Sequence, residues 1–237
     1  MSGEALVDPG YGQYYDAETR VGVSVYKKEH MDEVVAFKVK AMELVEAGRF
    51  LHSKGWVPAT SGNFSVRLNA GECAITVSGR HKGELTPADV MVVDQLGSPV
   101  NTDKRPSAET LLHTMLYSRY PEVGAILHTH SVKATVLSRL HEGQLVFEDY
   151  ELQKAFSGIT THESKVIVPI FANDQDIPRL SAAVDRYLDH HGEIHGYLIA
   201  GHGLYTWGAT MRDALRQIEA FEFLFECELT MQGLQRS

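Results

Sequence analysis

Two histidines one residue apart, in Ala125-Ile126-Leu127-His128-Thr129-His130, are the most informative pair in the chain. Side chains at i and i+2 of a strand point to the same face, roughly 7 Å apart at about 3.3 Å rise per residue. Two imidazoles at a strand's end can therefore converge on one ion. His-x-His alone is a weak signal, and a metal site needs a third ligand. His202 offers one, in Ala200-Gly201-His202-Gly203, where flanking glycines permit unusual backbone angles and a close approach that a side chain would block. Its bland reading is a turn histidine at a hairpin tip. Three neutral imidazoles around Zn²⁺ leave a position for water or substrate, as in a catalytic zinc site, so one Zn²⁺ per subunit is the expected cofactor. The remaining histidines, His190 and His191 among them, lack comparable settings and read as surface or core residues.

Three turns of small residues could hold an anion: Thr60-Ser61-Gly62-Asn63, Val77-Ser78-Gly79 and Arg105-Pro106-Ser107. Each offers backbone N–H groups and short hydroxyls, and the last opens a predicted helix whose dipole favours negative charge. Any one of them could be only a turn; the inference of a phosphate site rests on their occurring together. Lys82 could add positive charge, although an exposed lysine is its default reading. Two carboxylates compete for acid/base work. Glu109 falls in the first predicted turn after Ser107, where dipole complementation would also explain it. Glu151 sits in the acidic run Phe147-Glu148-Asp149-Tyr150-Glu151, which would also suit a solvated helix start. Spacing alone does not rank them.

The elements that must position these residues follow from periodicity. Residues 1–29 are rich in Gly and Tyr without a regular period and read as an irregular arm; residues 30–237 read as one catalytic domain. From His30 to Lys54 apolar residues recur at three-to-four spacing, the pattern of a long amphipathic helix. Short β-like runs at Asn63 to Leu68, Cys73 to Val77 and Val90 to Val93, split by turns, predict an antiparallel meander. A helix is expected from Pro106-Ser107 to Arg119 with Ser107 as N-cap, and Gly124 to Thr129 has the character of a buried strand. Further helices are predicted at Ser131 to Leu140, Tyr150 to Phe156, Asp176 to His190 and Met211 to about Met231. Strands are predicted at Leu145 to Phe147, Lys165 to Ile170, Gly196 to Ala200 and Leu204 to Trp207. Strands interleaved with helices that can cover both faces imply an α/β protein, a three-layer α/β/α domain around a central mixed β-sheet.

Composition narrows the partners. With 22 Lys plus Arg against 31 Asp plus Glu, the formal charge is −9, and no basic run offers a face for phosphate backbones, so no nucleic-acid partner is expected. No apolar run approaches the roughly 20 residues of a membrane helix, and the start lacks the pattern of a secretion signal, so no membrane partner and a cytoplasmic location are expected. Only Cys73 and Cys227 are present, which indicates neither a disulfide framework nor a thiolate zinc cage.

Taken together, Trp56-Val57-Pro58-Ala59-Thr60-Ser61-Gly62-Asn63, Pro106-Ser107-Ala108-Glu109, His128-Thr129-His130 and Gly201-His202-Gly203-Leu204-Tyr205-Thr206-Trp207-Gly208 resemble the class II aldolase/adducin superfamily, and within it the dehydratases of methionine salvage. The resemblance runs from about His30 to Met231. It implies a nine-stranded mixed sheet, a ring-shaped homotetramer, and zinc held at His128, His130 and His202. It further implies a phosphate pocket around Ser61, Gly62, Asn63, Ser78, Gly79 and Ser107. Glu151 matches the acid/base glutamate of eukaryotic dehydratases, and Glu109 the glutamate that serves the aldolases near the metal. The implied activity is zinc-dependent dehydration of the sugar phosphate 5-methylthioribulose 1-phosphate, with Glu151 expected to move the protons and Glu109 to contribute near the zinc. The alternatives are an aldolase or 4-epimerase acting on another ketose phosphate, and a non-catalytic adducin-like scaffold. A cupin could also use His-x-His, but no carboxylate follows His130 at short spacing and the strands are not dense enough.

Overall fold

The computed structural model describes residues 25–235, with side chains from residue 33 onward. The expected arm lies largely outside the described residues. Helix α1, Val25–Ser53, begins five residues ahead of the predicted start at His30.

The meander forms as expected: β1 (Asn63–Arg67) pairs antiparallel with β2 (Glu72–Thr76), which pairs antiparallel with β3 (Val90–Asp94). Then follow α2 (Thr110–Arg119), β4 (Ala125–Thr129), α3 (Val132–Leu140), β5 (Gln144–Phe147), and a 3-10 turn at Glu151–Ala155 in place of the predicted helix. The chain closes with β6 (Val166–Phe171), α4 (Ile177–His191), β7 (Gly196–Ile199), β8 (Gly203–Gly208) and α5 (Met211–Gln235).

The strands form one sheet in the order β3-β2-β1-β4-β8-β7-β6-β5, eight strands among the described residues rather than nine. Only β6 and β7 pair in parallel, so the sheet is mixed. Its central strands are buried on both faces, and alternation along them sorts residues into two cores. Phe64, Val66, Leu127, Leu198 and Leu204 pack with α1, α3 and α5. Ile75, Ile126, Tyr197, Tyr205 and Trp207 pack with α2 and α4 on the other face. This is the expected three-layer α/β/α arrangement. Among the described residues no helix is long and apolar enough to cross a membrane.

One predicted boundary is wrong in an informative way. Ser107 does not cap α2; the helix starts at Thr110, with Glu109 at the cap position at φ −92° and ψ 12°. Residues 107–109 instead form a turn in which the Ser107 hydroxyl accepts from the Glu109 N–H at 3.3 Å and the Ser107 carbonyl accepts from the Thr110 hydroxyl at 2.6 Å. The Glu109 side chain makes no capping bond to α2 and reaches Asn63 and Tyr205 on the sheet instead.

Candidate active site

The register of the three central strands sets the site. Asn63 on β1 lies opposite His128 on β4, and His128 lies opposite Tyr205 on β8, so these side chains stand in one row on the α2 face. His130 follows His128 by two residues, beyond the end of β4, and its N–H donates to the Trp56 carbonyl at 2.8 Å. His202 enters from the β7–β8 turn, where Gly201 at φ +65° makes the reversal. Gly203 serves a different need: a Cβ there would lie 1.9 Å from the Thr129 carbonyl oxygen and 3.3 Å from His128 Cε1. Both properties expected of these glycines are present, each at its own position.

The three imidazoles converge. His130 Nε2 lies 2.8 Å from His128 Nε2, which lies 3.3 Å from His202 Nε2, and the group can hold a metal ion. The chemistry of the donors fits such an ion. His128 Nδ1 is 3.0 Å from the Leu204 carbonyl, an acceptor only, so Nδ1 carries the hydrogen and Nε2 presents its lone pair to the cluster. Burial, reinforced by His130 and His202, holds the His128 pKa well below its usual value. Burial and the neighbouring His202 likewise push His130 down to about 4. Neutral imidazoles with lone pairs facing one point are the metal-binding form, and tetrahedral zinc at about 2.0–2.1 Å from each nitrogen would separate them by roughly 3.4 Å.

Glu109 joins the cluster. Its Oε2 lies 3.3 Å from His128 Nε2 and its Oε1 3.2 Å from His202 Nε2. The carboxylate is held from behind, since Oε2 accepts from Asn63 Nδ2 at 2.7 Å and from the Tyr205 hydroxyl at 2.8 Å. The Tyr205 ring also stacks on His128 at 4.0 Å between centroids, so one side chain steadies both a histidine and the carboxylate. Behind Asn63, buried His113 bonds its Oδ1 through Nε2, while His113 Nδ1 meets the Ser65 hydroxyl at 2.7 Å. Burial pushes His113 down to about 4, so this support is neutral.

Neither His113 nor Tyr205 is among the site residues expected from the sequence. A signal existed: Glu109 at the cap of α2 and His113 and Tyr117 within it recur every four residues, opposite the alternating polar Asn63, Ser65 and Arg67 of β1.

A cavity of about 210 Å³ adjoins the cluster, with Glu109 and His130 in its wall. All three small-residue turns reach it, through Ser61, Gly62 and Asn63, through Ser78 and Gly79, and through Ser107. Gly62 is needed there, since at φ +76° a Cβ would meet the His128 carbonyl oxygen at 2.7 Å. Lys82 departs from its default reading: it lines the cavity and is only 2% exposed.

Glu151 is not brought to this site within the chain. It follows β5 at the far edge of the sheet, with β6, β7 and β8 between that edge and β4. Its side chain is 73% exposed and accepts from Lys154 Nζ at 2.6 Å, which holds its carboxyl below the usual range.

The profile of the Class II Aldolase and Adducin N-terminal domain matches residues 42–229. A methylthioribulose-1-phosphate dehydratase of Pseudomonas syringae pv. syringae is 67% identical over 195 residues, covering 82% of this chain and 96% of its own. The protein of the same name from Methylococcus capsulatus is 57% identical over 84% of this chain and 98% of its own. Among solved structures, an L-fuculose-1-phosphate aldolase from Thermus thermophilus superposes with a TM-score of 0.66 at 26% identity, covering 87% of this chain and 98% of that one.

Proposed function

Because this chain belongs to the class II aldolase and adducin family and is a lyase of the dehydratase kind, we propose that it removes water from 5-methylthioribulose 1-phosphate in methionine salvage, with zinc as its ion. The product would be 2,3-diketo-5-methylthiopentyl 1-phosphate. The observation that carries this reading is that one cavity adjoins the histidine cluster, with His130, the Glu109 carboxylate and an anion-sized set of turns in its wall. His128, His130 and His202 would hold the ion, which when bound supplies a Lewis acid for the carbonyl oxygen of a 2-ketose.

The chain's own residues supply the rest. The turns at Ser61 to Asn63, Ser78-Gly79 and Ser107 would take the phosphate, fixing the sugar's C1 end. Glu109 would take the proton from C3, a role supported by the donations from Asn63 and Tyr205 that keep its oxygens from swinging away. Loss of the C4 hydroxyl as water needs an acid, after which the resulting enol ketonises. Glu151 can fill that part only from a neighbouring subunit, a role consistent with a homotetramer in which this exposed edge meets another copy's cavity.

Retro-aldol cleavage is a second reading, favoured by the likeness to the fuculose-phosphate aldolase, and it would use the same cavity. Incubating the zinc-loaded protein with 5-methylthioribulose 1-phosphate and weighing the products separates the two. Dehydration gives one product lighter by one water, whereas cleavage gives two fragments. Two fragments, or no turnover with zinc-loaded, folded protein, would refute the dehydratase assignment for this substrate.

A further inference from the structure

Lysine is seldom fully buried without a partner of opposite charge, yet Lys82 is 2% exposed and, among the described residues, its ammonium touches no carboxylate. Its Nζ donates to the Arg80 carbonyl at 2.7 Å and to the Thr60 carbonyl at 3.1 Å. Thr60 belongs to one of the small-residue turns that wall the cavity, and Arg80 directly follows another, Ser78-Gly79. An ammonium has three hydrogens, and two are accounted for. Burial lowers the Lys82 pKa to about 8, so the group still carries its proton at neutral pH. A cation has been taken out of water and set in a cavity wall, tied at two points so that it cannot follow solvent outward.

We propose that Lys82 is a binding residue for the phosphate group, its third N–H directed at a phosphate oxygen between the Thr60 and Ser78 turns. This rests on the substrate reading above only in taking the natural ligand to be a phosphorylated sugar. The anion supplies the opposite charge that the buried ammonium lacks. The turns alone offer neutral donors, which would suit any small oxyanion or a hydroxyl; a fixed cation favours a phosphate ester over the same sugar without phosphate. Lys82 is therefore the element of the cavity that selects for phosphorylation.

The competing account is that Lys82 only ties two turns together. Lys82→Met removes the charge and the ties, whereas Lys82→Gln removes the charge and keeps an N–H donor for the carbonyls. Binding of inorganic phosphate to the purified full chain, measured by calorimetry, should weaken at least about tenfold in both variants, the lower range for a hydrogen bond to a charged group. In turnover the loss should fall on KM for the phosphorylated ketose, with kcat changed far less and with no matching loss on the dephosphorylated ketose. Wild-type phosphate affinity in Lys82→Gln overturns the proposal, even if Lys82→Met fails to fold. If the wild type binds phosphate but dehydrates no ketose phosphate, the substrate reading fails and the assignment of Lys82 stands.

Discussion

Replacing Glu109 by glutamine exchanges one oxygen for an N–H₂ group, and the surroundings dictate which. Asn63 Nδ2 and the Tyr205 hydroxyl both donate to Oε2, so the glutamine oxygen must take that place. The amide nitrogen then falls where Oε1 stood, 3.2 Å from His202 Nε2. Shape and support are kept while the ability to accept a proton is lost. Positioned acid/base catalysis is worth about 10² to 10⁴-fold, or about 3 to 5 kcal/mol of barrier, so kcat should fall by at least the lower figure. KM should change little, because the phosphate turns are untouched. Turnover measured by product mass, alongside zinc content by elemental analysis, tests the reasoning. A kcat within tenfold of wild type removes Glu109 from proton transfer. Loss of zinc in step with activity makes it a ligand instead, a different role for the same contacts.

Four further outcomes are expected. Alanine at His128, or at His130, should abolish activity and lower bound zinc well below one per chain, and a variant that keeps its full zinc refutes the ligand set. Glu151→Gln and Glu109→Gln chains, each inactive alone, should on equal subunit mixing recover about a quarter of wild-type activity if Glu151 serves a neighbour's site; no recovery refutes that placement. Gly203→Ala puts a Cβ 1.9 Å from the Thr129 oxygen, so β4 and β8 must part; a lowered melting temperature and weakened zinc binding are expected, and an unchanged protein would contradict the packing. Finally, Lys82 loses its proton near 8 when folded but near 10.5 when unfolded, so the unfolded chain binds more protons in between and stability should rise with pH there. Denaturant melts at two pH values, one near 7.5 and one near 9.5, should show wild type gaining about 2 kcal/mol relative to Lys82→Met, and parallel slopes would refute the shift.

The parts of the site that were legible in the sequence were those fixed by local geometry. His128 and His130 share a face because strand side chains alternate, and Gly201 and Gly203 mark His202 because few other residues tolerate those positions. Sheet strands likewise announced themselves by runs between turns, and the apolar run Gly124 to Thr129 marked β4 as a buried strand. Missing were properties that belong to pairings across the fold. Nothing within Asn63-Phe64-Ser65 says that α2 lies over it, so the row Asn63, His128, Tyr205 and its support by His113 needed the register of three strands. The same holds for Lys82, whose burial depends on α1 closing over the turn that carries it; a lysine beside Ser78-Gly79 reads as solvated until that helix is in place.

The start of α2 shows how one local misreading and the site's chemistry are connected. Had Ser107 capped the helix, Glu109 would lie within its first turn rather than ahead of it. Delaying the helix to Thr110 leaves Ser107 in the cavity wall and Glu109 at the cap position, where it makes no capping bond and is held by Asn63 and Tyr205 instead. The Ser107 hydroxyl still accepts from the Glu109 N–H, and the cavity has a hydroxyl beside the phosphate turns and a carboxylate beside the histidines. Local preference yields here because the site requires both groups on the sheet side of α2, and sequence rules built on helices as independent units have no term for that demand.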